Sequence, residues 1–155
     1  MRNANPVSKP SAMTVDAAFD PERFVATLAH RAHGGLIGLR YVGHGEDWAE
    51  LAIDYSDRLI MDEATGVLAS GPILALMDMA TSMSIWCKQN RFRAQATLDL
   101  RVDYLRPATP GKAVIGRGEC YRITRSVAFI RGQAHDGDPA DPVAHVAGTY
   151  MFTDI

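Results

Sequence analysis

From residue 69 to residue 88 the chain is apolar on every side of a helical wheel. Ile73, Leu74, Leu76, Met77, Ala80, Ile85 and Trp86 cannot share one stripe, and a helix of that kind is normally enclosed by other elements. Gly71-Pro72 marks its start, because proline pre-sets the backbone angle of a first helical turn and has no N–H to leave unpaired there. The apolar part falls short of the ~20 residues of a membrane span and carries a carboxylate, Asp78, at mid-length. The prediction is a single enclosed core helix.

Over residues 96–104 the period changes to two. Ala96, Leu98, Leu100, Val102 and Tyr104 fall on one face, and Thr97, Asp99, Arg101 and Asp103 on the other. That pattern predicts a half-buried antiparallel strand with one wet side. Pro107, Pro110 and Gly111 then turn the chain. Strand patterns follow at 112–123, 127–135 and 143–152, separated by turns at 124–126 and 136–142, and the four strands are expected to run as a meander. Ahead of the core helix, extended runs at 36–42 and 48–55 flank the hairpin sequence Gly43-His44-Gly45-Glu46-Asp47, in which His44 reads as a solvated turn residue. A polar loop over 58–66 follows; its acids Asp62 and Glu63 have no third ligand beside them. Asp20-Pro21-Glu22-Arg23 opens a first helix with an N-cap carboxylate and a proline, striped by Phe24, Val25, Leu28 and Ala29. That helix is expected to stop by Gly34-Gly35.

Residues 1–18 have no period and read as a flexible tail, leaving 19–155 as one domain. The fold class is α+β: a one-sided antiparallel sheet and one all-round apolar helix bury each other best if the sheet curls about the helix. Composition narrows the function. The 155-residue chain has a formal net charge of -2 with its basic residues scattered, which gives no footprint for nucleic acid or anionic lipid. No signal-type or membrane-spanning run is present, so a cytoplasmic location is expected. Cys87 and Cys120 lie far apart with no metal-ligand spacing and read as small core residues, and no metal is expected.

Asp78 is the only formal charge between Gly66 and Lys88, and its helical neighbours Leu74, Ala75, Thr81 and Ser82 offer no countercharge. Aspartate is also a poor helix-interior residue. It is either a structural carboxylate, bonded to a backbone N–H or to an arginine of an overlying strand, or a functional one.

The helix-start motif followed by Leu76-x-Asp78-x-Ala80, and the later run Asp103-Tyr104-Leu105-Arg106-Pro107-Ala108-x-x-Gly111, resemble the hotdog-fold acyl-CoA thioesterases. The resemblance is to the PaaI-like and 4-hydroxybenzoyl-CoA thioesterase branch, over roughly residues 35–152. It implies a curved antiparallel sheet wrapped around a long central helix, two subunits joined through their sheets, active sites at the subunit interface, and dimers that commonly pair into tetramers. The family typically has His-Gly-Gly at the helix start, nine residues before an acid; here Ala69 and Ser70 replace the histidine and first glycine.

The resemblance further implies site roles. The N–H of Ser70 or Gly71 would polarise the thioester carbonyl with help from the helix dipole. Asp78 would act as general base or nucleophile. Ser82, one turn on, would hold or deliver water. Arg106, Arg125 and Ser126 would meet the phosphates of coenzyme A. The implied protein is a homo-oligomeric acyl-CoA thioesterase using no cofactor beyond the coenzyme A of its substrate. Two rivals remain open: a non-catalytic acyl-CoA binding or sensing protein, and an enoyl-CoA hydratase or dehydratase, for which a histidine near Asp78 in sequence is missing.

Overall fold

The computed structural model describes residues 18–30 and 32–153. The tail expected over 1–18 lies, but for its last residue, outside the described residues. Two short helices, α1 (Pro21–Ala29) and α2 (Ala32–Leu36), lead into a hairpin of β1 (Leu39–His44) and β2 (Trp48–Ile53). The long helix α3 (Ser70–Gln89) follows, and then β3 (Gln95–Tyr104), β4 (Val114–Ile123), β5 (Val127–His135) and β6 (Ala144–Phe152). The six strands form one antiparallel sheet in the order β1-β2-β4-β5-β6-β3.

This order corrects the expected four-strand meander. β4, β5 and β6 do run as one, but β3 lies beyond β6 and not beside β4. The proline-bearing connection after Tyr104 carries the chain from one edge to the middle of the sheet. β3 is left as an edge strand, hydrogen-bonded on one side only.

The sheet curls about α3, which packs on β2, β4 and β5. Ile73, Leu76, Met77, Ala80, Met83, Ile85 and Trp86 are buried around most of its circumference, while Leu74, counted in the apolar set, is 41% exposed. Contact is close because Gly118 on β4 lies under the helix, where a Cβ would come within 2.6 Å of the backbone of Ala80 and Thr81. The helix starts two residues ahead of Pro72, which sits at its third position, still among the N–H groups that have no helical partner. It ends at Asn90, whose φ of 48° is the left-handed cap that asparagine tolerates.

Three boundaries differ from expectation. Asp20 caps α1 as predicted, accepting from the Arg23 N–H at 3.0 Å, but the helix stops at Ala29. Gly34 and Gly35 lie inside α2, and the turn falls instead on Gly38 at φ 68°. β1 therefore begins three residues later than its apolar run suggests, and His44 closes the strand, its Nδ1 2.7 Å from the Tyr41 hydroxyl. Cys87 and Cys120 are free, and burial pushes both thiols up to about 11, which fits small core residues.

Candidate active site

The largest departure from the sequence pattern builds the site. In β3 the alternation breaks at Leu98, where a bulge opposes two residues to one between Thr97 and Asp99. Beyond the bulge, Leu100 and Val102 pack against the core as expected. Before it the faces are exchanged: Gln95 and Thr97 lean onto α3, while Leu98 is 55% exposed. The two strands approach closely beside the bulge. Across the ladder stands Gly148, where a Cβ would collide with the Asp99 carbonyl oxygen.

The inverted half-strand brings the Thr97 hydroxyl to Asp78, donating to Oδ1 at 2.8 Å. From β6 the Tyr150 hydroxyl reaches the same oxygen at 2.9 Å. It also lies 2.9 Å from the Asp78 carbonyl oxygen and 2.9 Å from the Thr81 hydroxyl, which itself donates to the Met77 carbonyl at 2.8 Å. Among the described residues, Asp78 has neither an arginine nor a backbone N–H as partner, and Oδ2 makes no hydrogen bond. The two partners that a structural carboxylate was expected to use are therefore not the ones the fold supplies. Two uncharged hydroxyls orient the group, and no countercharge pairs with it among the described residues. Burial, followed by the Asp78 charge, pushes the Tyr150 phenol up to about 12, so it remains a proton donor to Oδ1 at ordinary pH.

Ser82, on the same helix, is buried with its hydroxyl near Tyr150, while its carbonyl accepts from Gln95 at 3.0 Å. It makes no hydrogen bond to Asp78 among the described residues. Ser70 and Gly71 form the first turn of α3, where Ala69 provides no side-chain cap. Their N–H groups are without partners among the described residues, and the space beside Gly71 is open. The turn is held firmly: Ala69 N–H donates to Leu59 O at 2.8 Å, and Tyr104 donates its hydroxyl to Ser70 O at 3.0 Å. Two exposed donors at the positive end of a twenty-residue helix make an anion-stabilising corner. At 1.5 Å rise per residue, however, Ser70 and Asp78 of one chain are about 12 Å apart along the axis.

The residues expected at coenzyme A phosphates divide. Arg106 is taken up by the protein itself: it grips Asp136 through two bonds of 2.9 and 2.7 Å and donates to the Asp141 carbonyl at 2.6 Å, with the Asp141 carboxylate paired in charge 3.0 Å away. Asp136 also accepts from the Thr109 N–H at 2.7 Å, and Arg106 holds its carboxyl well below the usual carboxylate range. This network pins the β3–β4 connection to the β5–β6 loop and lines a cleft of about 740 Å³ that Asp78 does not reach. Arg125 and Ser126 sit in the β4–β5 turn; Arg125 is exposed and has no partner among the described residues. A second cleft of about 470 Å³, between Phe19, His44 and Lys88, also excludes Asp78. Asp78 Oδ1 is held instead between β3 and β6, by Thr97 and Tyr150.

Thr97 and Tyr150 were not legible as site residues. Thr97 lay on the nominally wet face, and Tyr150 is far from Asp78 in sequence. A buried tyrosine needs a partner for its hydroxyl, and the lone carboxylate of the core helix was a candidate.

A family model described as the thioesterase superfamily matches residues 65–143, just over half of the chain. Among curated proteins, the medium/long-chain acyl-CoA thioesterase YigI of Salmonella typhimurium is 26% identical over 135 residues, spanning 79% of this chain and 86% of its own. YigI of Escherichia coli K12 is 26% identical over 142 residues, with the same coverage. Among solved structures, a Pseudomonas aeruginosa protein is 40% identical, with a TM-score of 0.73 over 84% of this chain and 94% of that one. The fold is shared with thioesterase HI1161 of Haemophilus influenzae, 19% identical, TM-score 0.75, over 90% of this chain and 94% of that one. It is also shared with the PaaI protein of the Escherichia coli phenylacetic acid degradation operon, 14% identical, TM-score 0.69, over 86% and 96%. A six-stranded sheet curled about one long helix is the hotdog arrangement, and the matched span holds α3 and the bulged strand that reaches Asp78: the chain belongs to the thioesterase superfamily.

Proposed function

We propose that the protein hydrolyses an acyl-CoA thioester to the free acid and coenzyme A, at sites shared between two copies of the chain. The observation that carries the reading is the Asp78 carboxylate, with one oxygen anchored by hydroxyls and the other without a hydrogen bond or countercharge among the described residues. Such a group can take a proton from water at a fixed place. Oδ2 removes the proton, the hydroxide oxygen attacks the thioester carbonyl carbon, and the carbonyl oxygen becomes an oxyanion. Collapse of this intermediate expels coenzyme A as its thiolate, which takes up a proton.

The oxyanion needs donors, and the unpaired N–H groups of Ser70 and Gly71 suit it. A separation of about 12 Å keeps the two halves of one chain from meeting on one carbonyl group. A second copy running antiparallel would bring its helix start to this Asp78. The open β3 edge, with Leu98 and Tyr104 exposed on the strand and Leu105 just beyond it, supports such a dimer. Arg125 and Ser126 are proposed to meet the coenzyme A end.

No further cofactor enters this chemistry. The YigI relatives support a medium or long acyl chain as the substrate's apolar part. No helix among the described residues is long and apolar enough to cross a membrane, and a cytoplasmic location is part of the proposal. The test is a panel of acyl-CoA thioesters from acetyl to palmitoyl, together with an aromatic thioester and an enoyl-CoA, read by thiol release. Turnover with a medium or long chain is expected. Saturable binding with no thiol release would replace the enzyme by a sensing module, and hydration of the enoyl-CoA without thiol release would replace it by a hydratase.

A further inference from the structure

We infer that Tyr150 is a positioning residue that holds Asp78 by one carboxylate oxygen and thereby aims the other at the attacking water. The inference rests on the reading of Asp78 as the general base. Tyr150 is 1% exposed, rooted in β6 with its ring in the core beside Ile85 and Phe152. Its hydroxyl has a single proton and three acceptors at 2.9 Å: Asp78 Oδ1, the Asp78 carbonyl oxygen and Thr81 Oγ1.

The ionised carboxylate wins that proton, since hydrogen bonds to a charged acceptor are about twice as strong as neutral ones. With the Tyr150 proton on Asp78, Thr81 seats the phenol against the helix by donating to its oxygen at 2.9 Å, a proton it shares with the Met77 carbonyl at 2.8 Å. The Asp78 side chain is thus referenced to two rigid elements, α3 and β6. Thr97 bonds the same oxygen, but from the exposed edge strand. Because Tyr150 and Thr97 both take Oδ1, Oδ2 is left in one orientation. Without the buried clamp the carboxylate can turn about its terminal torsion, which is broad for aspartate. A base must lie within about 2.6–3.2 Å of the proton it removes.

The experiment uses the full chain, with decanoyl-CoA as probe and thiol release as readout. Tyr150→Phe keeps the ring and its packing and removes only the donor. It is expected to lower kcat by ~10-fold, part of the ~10²-fold that a misplaced group can cost, with KM within about twofold. Asp78→Asn is the reference, and the double variant should be no slower than Asp78→Asn alone, because Tyr150 acts only through that carboxylate. Thr81→Val, equally isosteric, should slow kcat in the same KM-neutral way and serves if the Phe variant proves unstable.

Unchanged kcat in both Tyr150→Phe and Thr81→Val overturns the inference. So does a double variant slower than Asp78→Asn by the full Tyr150→Phe factor, which is the mark of a merely structural tyrosine. Near-normal turnover of Asp78→Asn overturns the general-base reading itself, and the inference with it.

Discussion

Replacing Asp78 by asparagine separates a catalytic carboxylate from a structural one, and the geometry sets both magnitudes. Oδ1 accepts from Thr97 at 2.8 Å and from Tyr150 at 2.9 Å. The amide oxygen of asparagine can accept both bonds, and its NH₂ takes the place of Oδ2, which has no protein partner to clash with among the described residues. Each bond changes from charged to neutral, a loss of about 1 kcal/mol apiece. Relief from burying half of a carboxylate offsets part of that loss. The net change in stability is expected within about 1 kcal/mol, or a melting temperature within about 4 °C of wild type for a domain of this size. Breaking a buried ion pair would instead cost about 3–5 kcal/mol. Turnover should fall by ~10²-fold or more as the free oxygen loses its basicity. The assay is thiol release per folded molecule beside thermal melts at matched protein concentration, since any dimer makes melting concentration-dependent. A melting temperature lower by 8 °C or more, with activity reduced only in step with the folded fraction, would make Asp78 a structural carboxylate.

If the two halves of each site come from different copies, a chain with Asp78→Asn and one with Ser70→Pro should complement each other. Ala69 is already extended at ψ 152° and tolerates a following proline, which removes the Ser70 N–H; co-expressed, the two inactive chains should recover about a quarter of wild-type sites by statistical pairing, and no recovery would place both groups in one chain. Asp136→Asn should lower the melting temperature at pH 7 without changing kcat per folded molecule, because it opens the network with Arg106 and Thr109. Since the Asp136 carboxyl is held below its ordinary value, this stabilisation is complete above about pH 4 and drains away as pH falls further; melts from pH 7 to pH 3 should show wild type converging on the variant, and parallel curves would exclude the linkage. Free coenzyme A should raise the melting temperature, by less in Arg125→Ala than in wild type; an unchanged shift in that variant would remove Arg125 from the phosphate site.

The core helix, the fold class and the anomaly of a lone carboxylate at Asp78 were legible in the chain itself. An all-round apolar segment can be stable only when enclosed, and a lone charge inside it is costly wherever the segment packs. The N-cap of α1 and the strands β4, β5 and β6 follow from signals that act within a few residues. What surrounds Asp78 was decided by tertiary structure. The bulge at Leu98 depends on which strand lies opposite and on the bare backbone of Gly148 there, and a one-residue slip carries Thr97 from the wet face to the helix. Tyr150 meets Asp78 only because the sheet order sets β6 between β5 and β3, from where its hydroxyl reaches α3, a contact across 72 residues that no local pattern encodes. Arg106 looked free for a phosphate because its partners Asp136 and Asp141 are thirty and thirty-five residues away and arrive only when the β5–β6 loop folds back. Spacing along a helix fixes which groups share a face, but the partner of a buried polar group is chosen by whichever element the sheet order brings across it.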